Sequence, residues 1–157
     1  MAADVTIRPA SEADVPAMRA IYRRAVKQLG PVAYTPEQVE TWASFADSPV
    51  FTRRLAPLAT TLVAEKAGRV AGYASVRDNR VSALYVDPDF SRQGLATALL
   101  ERLLATFPQR PLQTEASHFS RSVFERQGFE LTEIDEVTRA GGVTFNRFIM
   151  SLHDSRG

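Results

Sequence analysis

Apolar residues recur at helical spacing over the first third of the chain and at strand spacing after it. Val15, Met18, Ile21, Tyr22, Val26 and Leu29 fall three or four positions apart and predict one buried face of a helix. Asp14 is a suitable N-cap, Pro16 is tolerated in the first turn, and Gly30-Pro31 ends the helix. Thr35-Pro36-Glu37-Gln38 is a second start signal, with a Thr cap, Pro at the first helical position and Gln three residues on. Val39, Trp42, Ala43 and Ala46 form the stripe behind it. A short strand over Thr6–Pro9 precedes these helices, and residues 48–58 have room for a third.

Near residue 60 the period changes. Residues 60–65 and 69–76 alternate as strands around a turn at Lys66-Ala67-Gly68, and 81–86 follows through Asp78-Asn79. A helix over about 94–107 buries Leu95, Leu99, Leu100, Leu103, Leu104 and Phe107 and turns Glu101 and Arg102 to water. Residues 108–111 break it. A strand over 112–116, a short helix over 119–127 stopped at Gly128, and a hairpin over 129–137 and 143–151 around Ala140-Gly141-Gly142 complete the chain. Helices, then strands, then alternation, then a hairpin predict an α/β fold: a mixed sheet with helices on both faces.

The chemistry concentrates where the strand ending at Val86 meets the helix after Gly94. Asp87-Pro88 stops the strand, a short polar loop follows, and one glycine precedes the apolar stripe. The first N–H groups of a helix lack internal partners, and the helix dipole adds partial positive charge there. Such a loop suits a phosphate or pyrophosphate. A side chain at Gly94 would hold that ligand off the backbone, and a change there is expected to leave the fold largely intact. Neither G-x-x-x-x-G-K-[ST] nor G-x-G-x-x-G is present.

What remains, Ser91-Arg92-Gln93-Gly94-Leu95-Ala96, resembles the Gln/Arg-x-x-Gly-x-Gly/Ala motif of the GNAT superfamily of acetyl-CoA-dependent N-acetyltransferases, with Ser91 departing from the usual first residue. The later run from Glu115 to Phe129, closing on Phe124-Glu125-Arg126-Gln127-Gly128-Phe129, resembles a second element of that family, and Ile7-Arg8-Pro9 resembles its opening. The resemblance implies one N-acetyltransferase domain over 1–157. Its sheet is mostly antiparallel, and acetyl-CoA lies in a splay between central strands. It implies direct transfer of acetyl to a primary amine of a small molecule or peptide. The alternative is a non-catalytic acyl-CoA-binding or regulatory domain on the same fold.

By the same resemblance, Leu84, Tyr85 and Val86 hold the pantetheine arm and acetyl carbonyl through their backbone. Arg92, Gln93, Gly94, Leu95, Ala96 and Thr97 wrap the pyrophosphate, and Ser117 and Phe124 complete the cofactor contacts. Many members carry a tyrosine acid where this chain has Phe124, which cannot donate a proton and is assigned to packing. Ser117, His118 and Tyr85 are the polar groups near that position, with His118 read as an exposed first-turn residue. Glu115 is the candidate base on its strand, against a structural ion pair. Tyr34 and Trp42 fall in the region that forms the family's acceptor pocket. Many relatives pair through the late strands, so Phe145, Phe148 and Met150 serve either a homodimer or the core.

Composition narrows little further. The chain has 157 residues, a net charge of +1 and no cysteine. The charge makes no case for nucleic acid or an anionic membrane. The absence of cysteine excludes disulfides, thiolate metal sites and a cysteine nucleophile. The N-terminus lacks a signal-peptide pattern and no run is long enough to cross a bilayer, so a cytoplasmic protein is expected. The final residues, 154–157, are expected to fray.

Overall fold

The computed structural model of the protein describes residues 5–55 and 58–153. The expectation for 154–157 lies outside the described residues. The strands are β1 (Val5–Pro9), β2 (Thr61–Lys66), β3 (Arg69–Arg77), β4 (Arg80–Val86), β5 (Leu112–Ala116), β6 (Glu130–Thr138) and β7 (Thr144–Leu152). The helices are α1 (Val15–Leu29), α2 (Pro36–Ser44), α3 (Pro49–Leu55), α4 (Leu95–Thr106) and α5 (Arg121–Arg126). The strands form one seven-stranded sheet in the order β1-β2-β3-β4-β5-β7-β6. Every pairing is antiparallel except β4 with β5. Among the described residues no helix is long and apolar enough to cross a membrane.

Alternation along the strands sorts side chains into two cores. Leu62, Ala64, Ala74 and Val81 face α4 and α5, where they meet Leu99, Leu100, Leu103 and Phe124. Val63 and Tyr73 face the other way, against Met18, Ile21 and Val26 of α1 and Phe51 and Leu55 of α3. The helical starts follow local chemistry. Thr35 Oγ1 accepts from Gln38 N at 3.1 Å, and Gln38 Oε1 accepts from Thr35 N at 2.9 Å, a complete capping box on α2.

Asp14 does not behave as expected of a cap. It holds the N-cap position of α1 without a side-chain cap bond. Its carboxylate instead receives Arg8 Nη1 at 2.8 Å and Nη2 at 2.9 Å, together with Ser11 N at 2.8 Å. The bidentate guanidinium and the Ser11 amide hold the carboxylate away from the first amides of α1.

One irregularity decides where a ligand can enter. β4 pairs with β3 at Val76↔Val81 and then at Ser75↔Ala83, leaving Ser82 unpaired as a bulge. The bulge shifts the alternation by one. Val81, Leu84 and Val86 therefore face the α4 core, while Ala83 and Tyr85 face α1. On its other edge β4 pairs with β5 only at Arg80↔Gln113 and Val81↔Thr114. Thr114 Oγ1 donates to the Val81 carbonyl at 3.0 Å and closes this short zip. Beyond it the two strands part, while β5 stays paired with β7 as far as Ala116↔Phe148.

Candidate active site

The parted strands open a cleft of about 920 Å³. Its floor is the free edge of β4, Ala83 to Val86, with Thr114 to Ser117 across the gap. At one end stands the loop before α4. Gly94 is the N-cap of α4 with φ 77°, and Arg92 also has a positive φ of 62°. Left-handed residues in such a loop favour concave arrays of amides. Among the described residues nothing accepts from the N–H groups of residues 92–97, and the first α4-capping bond comes from Ala98 N to Gly94 O at 3.0 Å. Nothing lies within 4 Å of where a Gly94 Cβ would stand. The space is open, as an approaching ligand requires. The positive φ strains any other residue, so a substitution there costs some backbone energy as well as ligand access.

The loop is anchored below by Asp87, which is fully buried and receives Arg24, Arg69 Nη2 at 3.4 Å and Asp89 N at 3.0 Å. Gln93 turns away from the cleft and accepts from Lys66 on the β2–β3 hairpin. Gln93 is outside the cleft lining, unlike its neighbours Arg92 and Gly94.

The other end of the cleft is aromatic. Tyr85 stacks 4.8 Å from Tyr22 and 5.7 Å from Tyr73, centroid to centroid. Burial pushes the Tyr85 phenol up to about 12, with hydrogen bonds involving Trp42 and Tyr22 partly offsetting it. Burial likewise raises Tyr22, whose hydroxyl donates to the Trp42 carbonyl at 3.0 Å. Tyr34 and Trp42 both line this end with rings 5.2 Å apart. The Tyr34 hydroxyl accepts from His118 N at 3.3 Å, which ties the segment before α2 to the β5–α5 loop. Gln38 Nε2 adds a strap to the Thr144 carbonyl at 2.8 Å.

The candidate catalytic residues lie together, but each has structural partners. Glu115 is on β5 and lines the cleft, where Arg80 Nη1 reaches one oxygen at 3.0 Å and Arg147 Nη1 the other at 3.1 Å. Arg147 also binds Asp135 at 2.9 and 2.6 Å. The Ser117 hydroxyl accepts from Phe119 N at 3.1 Å and Ser120 N at 3.2 Å, fixing the entry to α5. Phe124 is buried and packs edge-on 5.0 Å from Phe129, as a packing residue should. His118 is exposed and outside the lining, with its ring 5.0 Å from Phe148.

Phe148 and Met150 are buried in the chain's own core, and Phe145 lines the cleft 6.2 Å from Tyr34. The core alternative therefore accounts for Phe148 and Met150. Sequence reasoning missed Arg54, Arg126, Arg139 and Asn146, all of which line the cleft. Tyr22 was legible as part of a helical stripe but not as a cleft wall.

Comparison with known proteins bears on the same region. Residues 32–152 match the family described as "Acetyltransferase (GNAT) domain". The chain belongs to the GNAT acetyltransferases. An uncharacterized N-acetyltransferase of Escherichia coli K12, YafP, is 30% identical over 147 residues, covering 94% of this chain and 95% of its own. A GCN5-related N-acetyltransferase from Rhodopseudomonas palustris has the same fold with a TM-score of 0.84 and 29% identity, over 95% of both chains. PaiA N-acetyltransferase from Thermoplasma acidophilum, solved in complex with coenzyme A, shares the fold alone. Its TM-score is 0.72 at 17% identity, over 96% of this chain and 99% of that one. The GNAT assignment makes the chain an acetyltransferase with an acyl-CoA donor.

Proposed function

We propose that residues 1–157 form one N-acetyltransferase domain that moves acetyl from acetyl-CoA directly to a primary amine. The observation that carries this reading is the two-pair zip between β4 and β5, opening beside the unpartnered amides of 92–97. The free edge of β4 at Leu84 to Val86 offers main-chain groups to an extended pantetheine arm and to the thioester carbonyl. The amides of 92–97 and the Arg92 guanidinium suit the pyrophosphate. That PaiA holds coenzyme A on the same fold supports the placement. Bound there, acetyl-CoA supplies an activated acyl group whose thiol leaves readily, with a pKa of about 8.5.

The chain's own groups divide the remaining work. The amine nitrogen bonds the acetyl carbon, the C–S bond breaks with its electron pair going to sulfur, and the amine's proton passes to water. Tyr85, raised by burial, stays protonated at neutral pH and serves as a hydrogen-bond donor rather than a base. Ser117 is committed to the entry of α5. Phe124 packs. Glu115 is held between Arg80 and Arg147, one guanidinium on each oxygen, and its role is to brace these two strands. Holding donor and amine in line supplies the rate. The acceptor enters from the side of Tyr22, Tyr34 and Trp42.

Calorimetry with CoA, dephospho-CoA and pantetheine tests the cofactor half. CoA should bind, pantetheine should bind far more weakly, and Gly94→Val should weaken CoA by ~10-fold or more by blocking the amides. A folded protein that takes up no CoA would overturn the reading.

A further inference from the structure

The charge around the cleft is one-sided. Among the described residues six arginines line it, Arg54, Arg80, Arg92, Arg126, Arg139 and Arg147, against one carboxylate, Glu115. Glu115 is already shared between Arg80 and Arg147. Arg92, on the loop before α4, and Arg126, on the helix packed beside α4, stand where the phosphates of CoA would use them. That leaves Arg54 and Arg139, and neither guanidinium has an ion-pair or hydrogen-bond partner among the described residues.

Both line the cleft, and Arg54 stands on its aromatic wall. Arg54 Cζ lies 5.7 Å from the Phe45 ring centroid, and that ring lies 5.7 Å from Tyr22. Arg139 lines the same cleft as Tyr22. Arginines nearby on α1 are used differently. Arg19 donates to the Ala46 carbonyl, Arg23 to Asp47 and Arg24 to Asp87. The arginines that brace α1 are paired, whereas among the described residues Arg54 and Arg139, like Arg92 and Arg126, are free at the cleft.

We propose that Arg54 and Arg139 hold an anionic group of the acceptor, so that the substrate is a small primary amine bearing a carboxylate, of amino-acid type, rather than a polyamine or aminoglycoside. The proposal rests on the acetyl-transfer reading of the cleft. Guanidinium forks match a carboxylate in geometry and charge. A polycation would meet repulsion and find no free carboxylate for its second ammonium. The same positive surroundings disfavour the ammonium form of the acceptor and so favour the neutral amine that attacks. The wall of Tyr22, Phe45 and Tyr85 suits an apolar side chain.

The test is a turnover assay following thiol release from acetyl-CoA. α-Amino acids with small, branched and aromatic side chains are each compared with the amine lacking the carboxylate, and spermidine is included. At least one amino acid should exceed its decarboxylated partner by ~10²-fold in kcat/KM, the scale of a lost charged hydrogen-bonded contact. Arg54→Ala and Arg139→Ala should each lower kcat/KM for that amino acid by ~10-fold or more, mainly through KM, and leave its decarboxylated partner unchanged. Arg53→Ala, beside Arg54 but outside the cleft lining, should change nothing. Calorimetry should show acetyl-CoA binding unaltered in all three variants. The proposal falls if spermidine or the decarboxylated amines are used as well as the amino acids, or if the variants depress both members of a pair equally. It also falls if no amino acid is turned over or bound by the CoA-loaded protein. Wild-type protein that binds no acetyl-CoA would instead sink the cofactor reading on which the proposal stands.

Discussion

Asp14 occupies a position that capping chemistry favours, yet its carboxylate is spent on Arg8. The two guanidinium bonds and the Ser11 amide hold its pKa below the ordinary value of 3.8, the Arg8 contact being the largest cause and burial opposing it. The sign follows from that depression. A carboxylate easier to ionise in the folded state adds stability that is present above its ordinary value and is lost as pH falls through the folded value. Asp14→Asn should therefore destabilise at pH 7 by about 1–3 kcal/mol, the range for a hydrogen bond to a charged group. Urea unfolding at pH 7 and pH 3 checks this: the gap between variant and parent should shrink at pH 3. A gap independent of pH would assign the loss to packing instead.

At the scale of elements, β3, β4 and α4 are held at contact distance by the absence of one side chain. A Cβ on Gly72 would stand 2.9 Å from the Tyr85 carbonyl oxygen and 3.1 Å from Leu99 Cδ1. The first of these is backbone and cannot rotate away, so β4 itself would have to move. Gly72→Ala should lower stability by about 1–3 kcal/mol, as overpacking does. The displacement acts on the strand that offers its edge to the cofactor, so CoA affinity should fall with it. Thermal unfolding and calorimetry on one sample test both halves, and an unchanged Tm would show that the sheet relaxes freely. Ser82 acts on the same strand by a different route. Its bulge turns Tyr85 toward α1 and Leu84 toward α4, which gives the cleft an aromatic end and an aliphatic floor.

At the scale of the whole molecule, residues far apart in sequence meet across the splay as one chain of charge. Arg80 of β4, Glu115 of β5, Arg147 of β7 and Asp135 of β6 alternate in sign across the sheet. Glu115→Gln should then lower the melting temperature by roughly 2–4 °C, the shift that about 1 kcal/mol gives in a chain of this size. It should leave the shape of the pH–rate profile as in the parent. A base at this position would behave differently, with turnover falling roughly 10²-fold at neutral pH and recovering as the free amine increases. The profile decides between the two roles.

Most of the fold was legible in local signals, because those signals are local in cause. Thr35 and Gln38 cap α2 through contacts three residues apart, and β5 spans the residues its alternation predicts. Gly94 announces the turn before α4 because a residue without Cβ adopts its left-handed conformation freely. The family motif carried the fold class and the acyl-CoA donor. What the sequence could not decide was whom each polar group would meet. Asp14 found Arg8 rather than the first amides of α1, Ser117 found the start of α5, and Glu115 found arginines 35 and 32 positions away in opposite directions. Arg54 and Arg139 carried no local signal, since an unpaired guanidinium is defined by neighbours it lacks. The tertiary structure alone decides such matters, because ion pairs and cleft walls depend on which distant strands and helices the sheet order brings side by side.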